Sequence, residues 1–167
     1  MLFACHCDER YPIEPLLNEL AQQGIVYEIK QANGVSELWL EDAHVIEPVL
    51  KKGFARIPEW TPTQALQDAH DGEIEMWLTF DDEDNSVYSV TGTMVAVEED
   101  GKRLHVLFTC GTGWKRWGYL FQELKDHAER NDCEAIRFRG RKAWRRVLSE
   151  MTIIGMDDGL PVYELRF

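Results

Sequence analysis

Group transfer needs somewhere to hold negative charge and something to accept a proton, and the stretch FTCGTGWKRW, Phe108 to Trp117, offers the first of these. A strand-like pattern ends in Cys110, Gly111, Thr112 and Gly113, small residues that let backbone N–H groups approach an anion. Lys115 and Arg116 follow in the first turn of an amphipathic helix, where bases oppose the helix dipole unless an anion is bound. The same residues also suit a plain strand-to-helix turn with solvated bases. Glu98 and His105, near strand ends, are the candidate proton acceptors, and Tyr119 is a candidate donor. A strand histidine serves equally well as a half-exposed polar residue. Gly140, Arg141, Trp144, Arg145 and Arg146 form the densest basic and aromatic cluster, of the residue types enriched at interface hot spots. Trp144 reads as core. Arg141 and Arg145 read either as an interface or as partners of acidic residues inside the fold.

Metal chemistry finds no comparable support. Cys5, His6 and Cys7 are close in sequence, but a strand sends residues 5 and 7 to one face and His6 to the other, and no second pair completes four ligands. Cys5, Cys7, Cys110 and Cys133 are expected to be reduced, buried thiols, and no metal site is expected.

The net charge of -12 is unevenly spread. Residues 1 to 53 carry nine acids and four bases, residues 54 to 100 twelve acids and one base, and residues 101 to 167 nine acids and thirteen bases. A duplex-DNA binder would carry a dominant basic surface, so nucleic acid is not expected as the main partner. A DNA-mimicking inhibitor would need a long acidic stripe, which is missing. Apolar runs are only of strand length and the start of the chain has no basic leader, so the expectation is a cytoplasmic protein with no membrane partner.

The elements that must position these groups follow from periodicity. A strand over LFACHC precedes a helix with an apolar stripe at Ile13, Leu16, Leu17, Leu20 and Ala21, ended by Gly24. IVYEIK and SELWLE read as strands of a hairpin turned by Asn33-Gly34, and a second helix runs from about Asp42 to Lys52, closed by Gly53. Residues 1–55 thus form a β-α-β-β-α module. Residues 56–167 form a second domain: a short helix over 63–70, strands over 73–80, 86–98 and 102–110, and a long helix over 113–131. A strand over 134–139, a helix over 142–150 and strands over 152–155 and 161–167 complete it. The fold class is mixed α/β, with a mostly antiparallel sheet flanked by helices.

The second domain resembles the N-acetyltransferase (GNAT) superfamily, and more closely the divergent GNAT-like proteins of tailed phages. The residues that carry this are FTCGTG leading into the long helix and NDCEAIRFRGRKAWRRVL, Asn131 to Leu148. The resemblance spans roughly Pro58 to Phe167. It implies acetyl coenzyme A as cofactor, its pyrophosphate held by Cys110, Gly111, Thr112, Gly113, Lys115 and Arg116. Phe108 stands where that family carries Gln or Arg, and Val147 where it commonly carries a Tyr. The first module resembles the ferredoxin-like cytoplasmic domain of rhomboid proteases in its Leu20 to Asp42 run, and implies an interaction module without chemistry. Two functions follow. One is a weak or degenerate acyl-CoA-dependent N-acyltransferase of phage type. The other is a non-enzymatic protein, virion-associated or located in the cytoplasm of an infected bacterium, that uses the fold as a scaffold for a phage structural or host partner.

Overall fold

A computed structural model describes residues 27–29, 46–80 and 87–167. The expected first strand, first helix, Asn33-Gly34 hairpin and SELWLE strand lie outside those residues, as do Cys5 and Cys7. In chain order the elements are β1 (Tyr27–Ile29), α1 (residues 46–54), α2 (Pro62–Asp71), β2 (Glu75–Phe80), β3 (Val87–Glu98) and β4 (Gly101–Gly111). They continue with α3 (Trp114–Trp117), α4 (Leu120–Arg130), β5 (Ala135–Arg139), a 3-10 helix (Lys142–Arg146), β6 (Thr152–Asp157) and β7 (Leu160–Arg166).

The strands form one seven-stranded sheet in the order β1-β2-β3-β4-β5-β7-β6. β1 pairs with β2, β5 with β7 and β6 with β7, all antiparallel. Only Glu99 and Asp100 link β3 to β4, too short a connection for anything but an antiparallel pair. β4 and β5 are parallel, and α3 and α4 make the crossover that a parallel pair requires. Their register runs from Arg103 opposite Ala135 to Val106 opposite Phe138, after which β4 continues to Gly111. The expected mixed α/β class with a mostly antiparallel sheet is what the chain adopts.

The chain divides into two compact units, residues 1–92 with 109–120 and residues 93–108 with 121–167. In the first, Ile46, Leu50 and Phe54 bury one stripe of α1, and Met76, Trp77 and Leu78 are buried on β2. α2 shows how sequence sets its ends. Thr61 accepts the Gln64 N–H at 3.1 Å, Pro62 fills the first turn, and Gly72, at φ 76°, closes the helix with its N–H on the Ala69 carbonyl. A buried hydroxyl pair, Thr79 Oγ1 to Ser89 Oγ at 2.7 Å, joins β2 to β3, and Thr91 Oγ1 donates to Thr109 Oγ1 at 3.2 Å. β1, from the segment expected to form a separate module, adds directly to β2.

In the second unit Leu104, Leu124, Ala128, Ile136 and Tyr163 are buried. The Phe138 ring stacks on Tyr163 at 4.9 Å between centroids, and Trp144 meets Phe138 edge-on at 6.0 Å. Trp144 is half-buried, with its ring edge against Phe138. The helix expected over 142–150 is shorter, a 3-10 turn that stops at Arg146. Its following residues are held instead by burial of Leu148 and Met151.

Candidate functional site

The turn after β4 is built by two glycines for two different reasons. Gly111 lies against β3, where a Cβ would come within 2.6 Å of the Tyr88 carbonyl oxygen and 2.7 Å of Ser89 Cβ. Gly113 sits at φ 71°, ψ 61°, the left-handed region that side chains disfavour, and starts α3 with no side-chain cap. Thr112 spends its N–H on the Tyr88 carbonyl at 3.2 Å, which fixes the turn to β3 and removes that amide as a ligand donor. Gly113 makes no side-chain cap bond, so its N–H and that of Lys115 are the donors the turn can offer. α3 is only four residues long and its dipole is correspondingly small, so the charge must come from side chains. Lys115 is exposed and has no carboxylate partner among the described residues; the Arg116 side chain is not among them. Cys110, buried just before the turn, does not contact an anion as a thiolate, because desolvation pushes its thiol up to about 12. Phe108, at the position where the resemblance implies Gln or Arg, is core. The expected single helix is broken at Gly118 and Tyr119, and Tyr119 is 40% exposed between α3 and α4.

Glu98 and His105 lie together in the second unit. His105 Nε2 is 2.8 Å from Glu98 Oε1. Glu98 is shared with two arginines: Arg137 Nη1 donates to its Oε2 at 2.8 Å, and Arg103 Nη1 stands 3.0 Å from the same oxygen. Arg103 is fully buried and also reaches Asp100 at 2.5 Å and Glu164 at 3.4 Å. Glu164 accepts from Arg137 Nη2 at 2.6 Å and from Arg166 Nε at 2.7 Å. Burial alone would raise the Glu164 carboxyl, but the bonds and charges of Arg137 and Arg166 together outweigh it and hold it below the ordinary value. The Asp100 carboxyl is lowered by its bond from Arg103, and Arg103 is raised by the same bond. Glu98 thus has both oxygens committed. His105 keeps a second ring nitrogen, and Nδ1 is an acceptor when Nε2 carries the proton.

Arg103, Arg137 and Glu164 were missed as site residues. Their signal was present as charge at every second position, Arg103 with His105, Arg137 with Arg139 and Glu164 with Arg166, which marks a shared polar face across β4, β5 and β7. Register places His105 opposite Arg137 and Arg137 opposite Glu164. Arg141 and Arg145 are exposed at the 3-10 helix with no carboxylate partner among the described residues, and Tyr163 Oη donates to the Arg141 carbonyl at 3.1 Å. Among the described residues no cluster of His, Cys, Asp or Glu is arranged to hold a metal, and no helix is long and apolar enough to cross a membrane.

No protein-family model and no curated protein matches the sequence. Solved structures do match by fold. The PaiA N-acetyltransferase of Thermoplasma acidophilum in complex with coenzyme A aligns with 10% identity over 86% of this chain and 99% of that one, at a TM-score of 0.56. A GNAT family acetyltransferase of Brucella melitensis in complex with acetyl-CoA aligns with 10% identity over 86% and 89%, at 0.58. A bacterial toxin aligns with 8% identity over 86% and 91%, at 0.59. The chain has the GNAT fold.

Proposed function

We propose that this protein is a GNAT-fold acyl-coenzyme A binder whose N-acyltransferase activity is weak or lost. The observation that carries this reading is the uncapped Gly113 turn at the end of β4, with exposed Lys115 beside it, in a fold whose neighbours include coenzyme A complexes. Lys115 supplies charge to a pyrophosphate, and the Gly113 and Lys115 amides supply hydrogen bonds. Bound acetyl coenzyme A would supply a thioester open to attack by an amine. His105, hydrogen-bonded to Glu98, is kept as the candidate base, since both Glu98 oxygens are already shared with Arg103 and Arg137. Tyr119 is the candidate donor to the leaving thiolate. The tailed-phage setting rests on the sequence resemblance alone.

The test is a thermal shift with acetyl coenzyme A at millimolar concentration, on the full chain and on Thr112→Glu. That variant places a carboxylate in the turn at an exposed side chain, so the fold should survive while the shift is lost. Absence of any shift in the unaltered protein sinks the reading.

A second reading, a non-enzymatic scaffold for a phage structural or host protein, is favoured by Arg141 and Arg145, exposed beside Trp144 and without carboxylate partners among the described residues. Its partner would be lost on Arg141→Glu while the coenzyme response of the first test stayed unchanged.

A further inference from the structure

His105 stands at the end of a relay of side chains that begins on β7. Glu164 is buried there, and its Oε2 accepts from Arg137 Nε at 3.0 Å and from Arg137 Nη2 at 2.6 Å. Those two bonds set the plane of the guanidinium. The remaining nitrogen, Nη1, donates to both oxygens of Glu98, at 3.1 Å to Oε1 and 2.8 Å to Oε2. Glu98 is half-buried at the end of β3, and its Oε1 in turn lies 2.8 Å from His105 Nε2. Register supports the relay, with His105 opposite Arg137 and Arg137 opposite Glu164. Arg103 also reaches Glu98, but only at Oε2, and its other bonds go to Asp100, the Gly101 carbonyl and Glu164. Arg137 alone touches the oxygen that faces the ring.

This arrangement fixes a proton. A carboxylate can only accept hydrogen bonds, so the ring nitrogen that meets Glu98 must donate. In the neutral imidazole the proton is then on Nε2 and the lone pair on Nδ1. Nδ1 has no hydrogen-bond partner among the described residues, and the side chain is 23% exposed. We propose that Arg137 is a positioning residue: by tying Glu98 to buried Glu164 it selects the Nε2–H tautomer of His105 and leaves Nδ1 as the atom that takes a proton from an amine. The inference rests on His105 being the base of the proposed transfer. The Nε2 proton stays where it is, and once Nδ1 is protonated the Glu98 carboxylate faces the imidazolium without itself being protonated.

Ring nitrogen spectra of the nitrogen-15 labelled full chain, taken without coenzyme at about pH 9, where imidazoles are neutral, read the tautomer directly. His105→Gln identifies the His105 signals by their loss. Nδ1 is expected at the unprotonated limit and Nε2 at the protonated limit, whereas a ring free in solvent gives averaged positions. Arg137→Lys keeps the charge but offers a single nitrogen, which cannot serve Glu98 and Glu164 together, and both ring signals should move toward the average. Glu98→Ala cuts the relay at a half-buried residue and should do the same, with Arg103 still held by Asp100 and Glu164. Averaged signals in the unaltered protein, or a proton on Nδ1, overturn the proposal. Ring signals in Arg137→Lys or Glu98→Ala that stay at the wild-type limits overturn the positioning role. With no coenzyme present, a failed thermal shift leaves this result intact, and a failed tautomer leaves coenzyme binding intact.

Discussion

Glu164 shows how much one carboxylate can organise. It is 3% exposed on β7, and both of its oxygens are bonded to arginines of three strands. Its carboxyl is held below the ordinary value, so its contribution to stability is present above the unfolded pKa of about 4.3 and is lost as pH falls through the lower folded value. Urea midpoints measured from neutral pH downward should therefore drop on the acid side, and Glu164→Gln should flatten that limb. The same variant should lose about 2 to 3 kcal/mol at neutral pH, since it leaves Arg103 buried with less compensating charge. An acid limb identical to the wild type would assign the loss to other carboxylates. Nothing local to Glu164 marked it. Arg166 is two residues away, but Arg103 and Arg137 come from far along the chain, and only the alternation of charge on each strand hinted that the three strands share a polar face.

Elements were legible where periodicity and capping agree. α2 forms where Thr61, Pro62 and Gly72 bracket an apolar pair, Ala65 and Ala69, and every strand from β2 to β7 falls within two residues of its expected span. Gly53 was misread for a physical reason. It looks like a helix terminator, yet α1 runs through it to residue 54. The glycine is there because α1 approaches β4 so closely that a Cβ would overlap the Cys110 sulfur and stand 2.5 Å from its Cβ. Helix propensity favours Gly53→Ala by about 1 kcal/mol, whereas overpacking against a strand costs about 1 to 3 kcal/mol. Packing should win, and thermal denaturation should show a lower midpoint; a raised midpoint would mean that α1 can move off β4. The helix break at Gly118 was likewise hidden, because the apolar stripe of Trp117, Leu120, Phe121 and Leu124 passes through it without losing phase.

For the whole molecule, the order of strands and helices after residue 56 was sufficient to anticipate the GNAT fold, while the place of β1 beside β2 was not, since pairing between distant segments leaves no periodic trace. The uneven charge found a partial use inside the second unit, where Glu98 and Asp100 of the acidic middle meet Arg103 and Arg137 of the basic end. Lys115, Arg141 and Arg145 face solvent, and the first of them is the proposed coenzyme contact. Titration of acetyl coenzyme A into the nitrogen-15 labelled protein, followed by amide resonances, addresses that assignment most directly. Saturable shifts centred on Gly113, Trp114 and Lys115 are predicted, with Thr112 moving less because its N–H is held by Tyr88. No shift at millimolar coenzyme, or shifts confined to residues away from this turn, would contradict it.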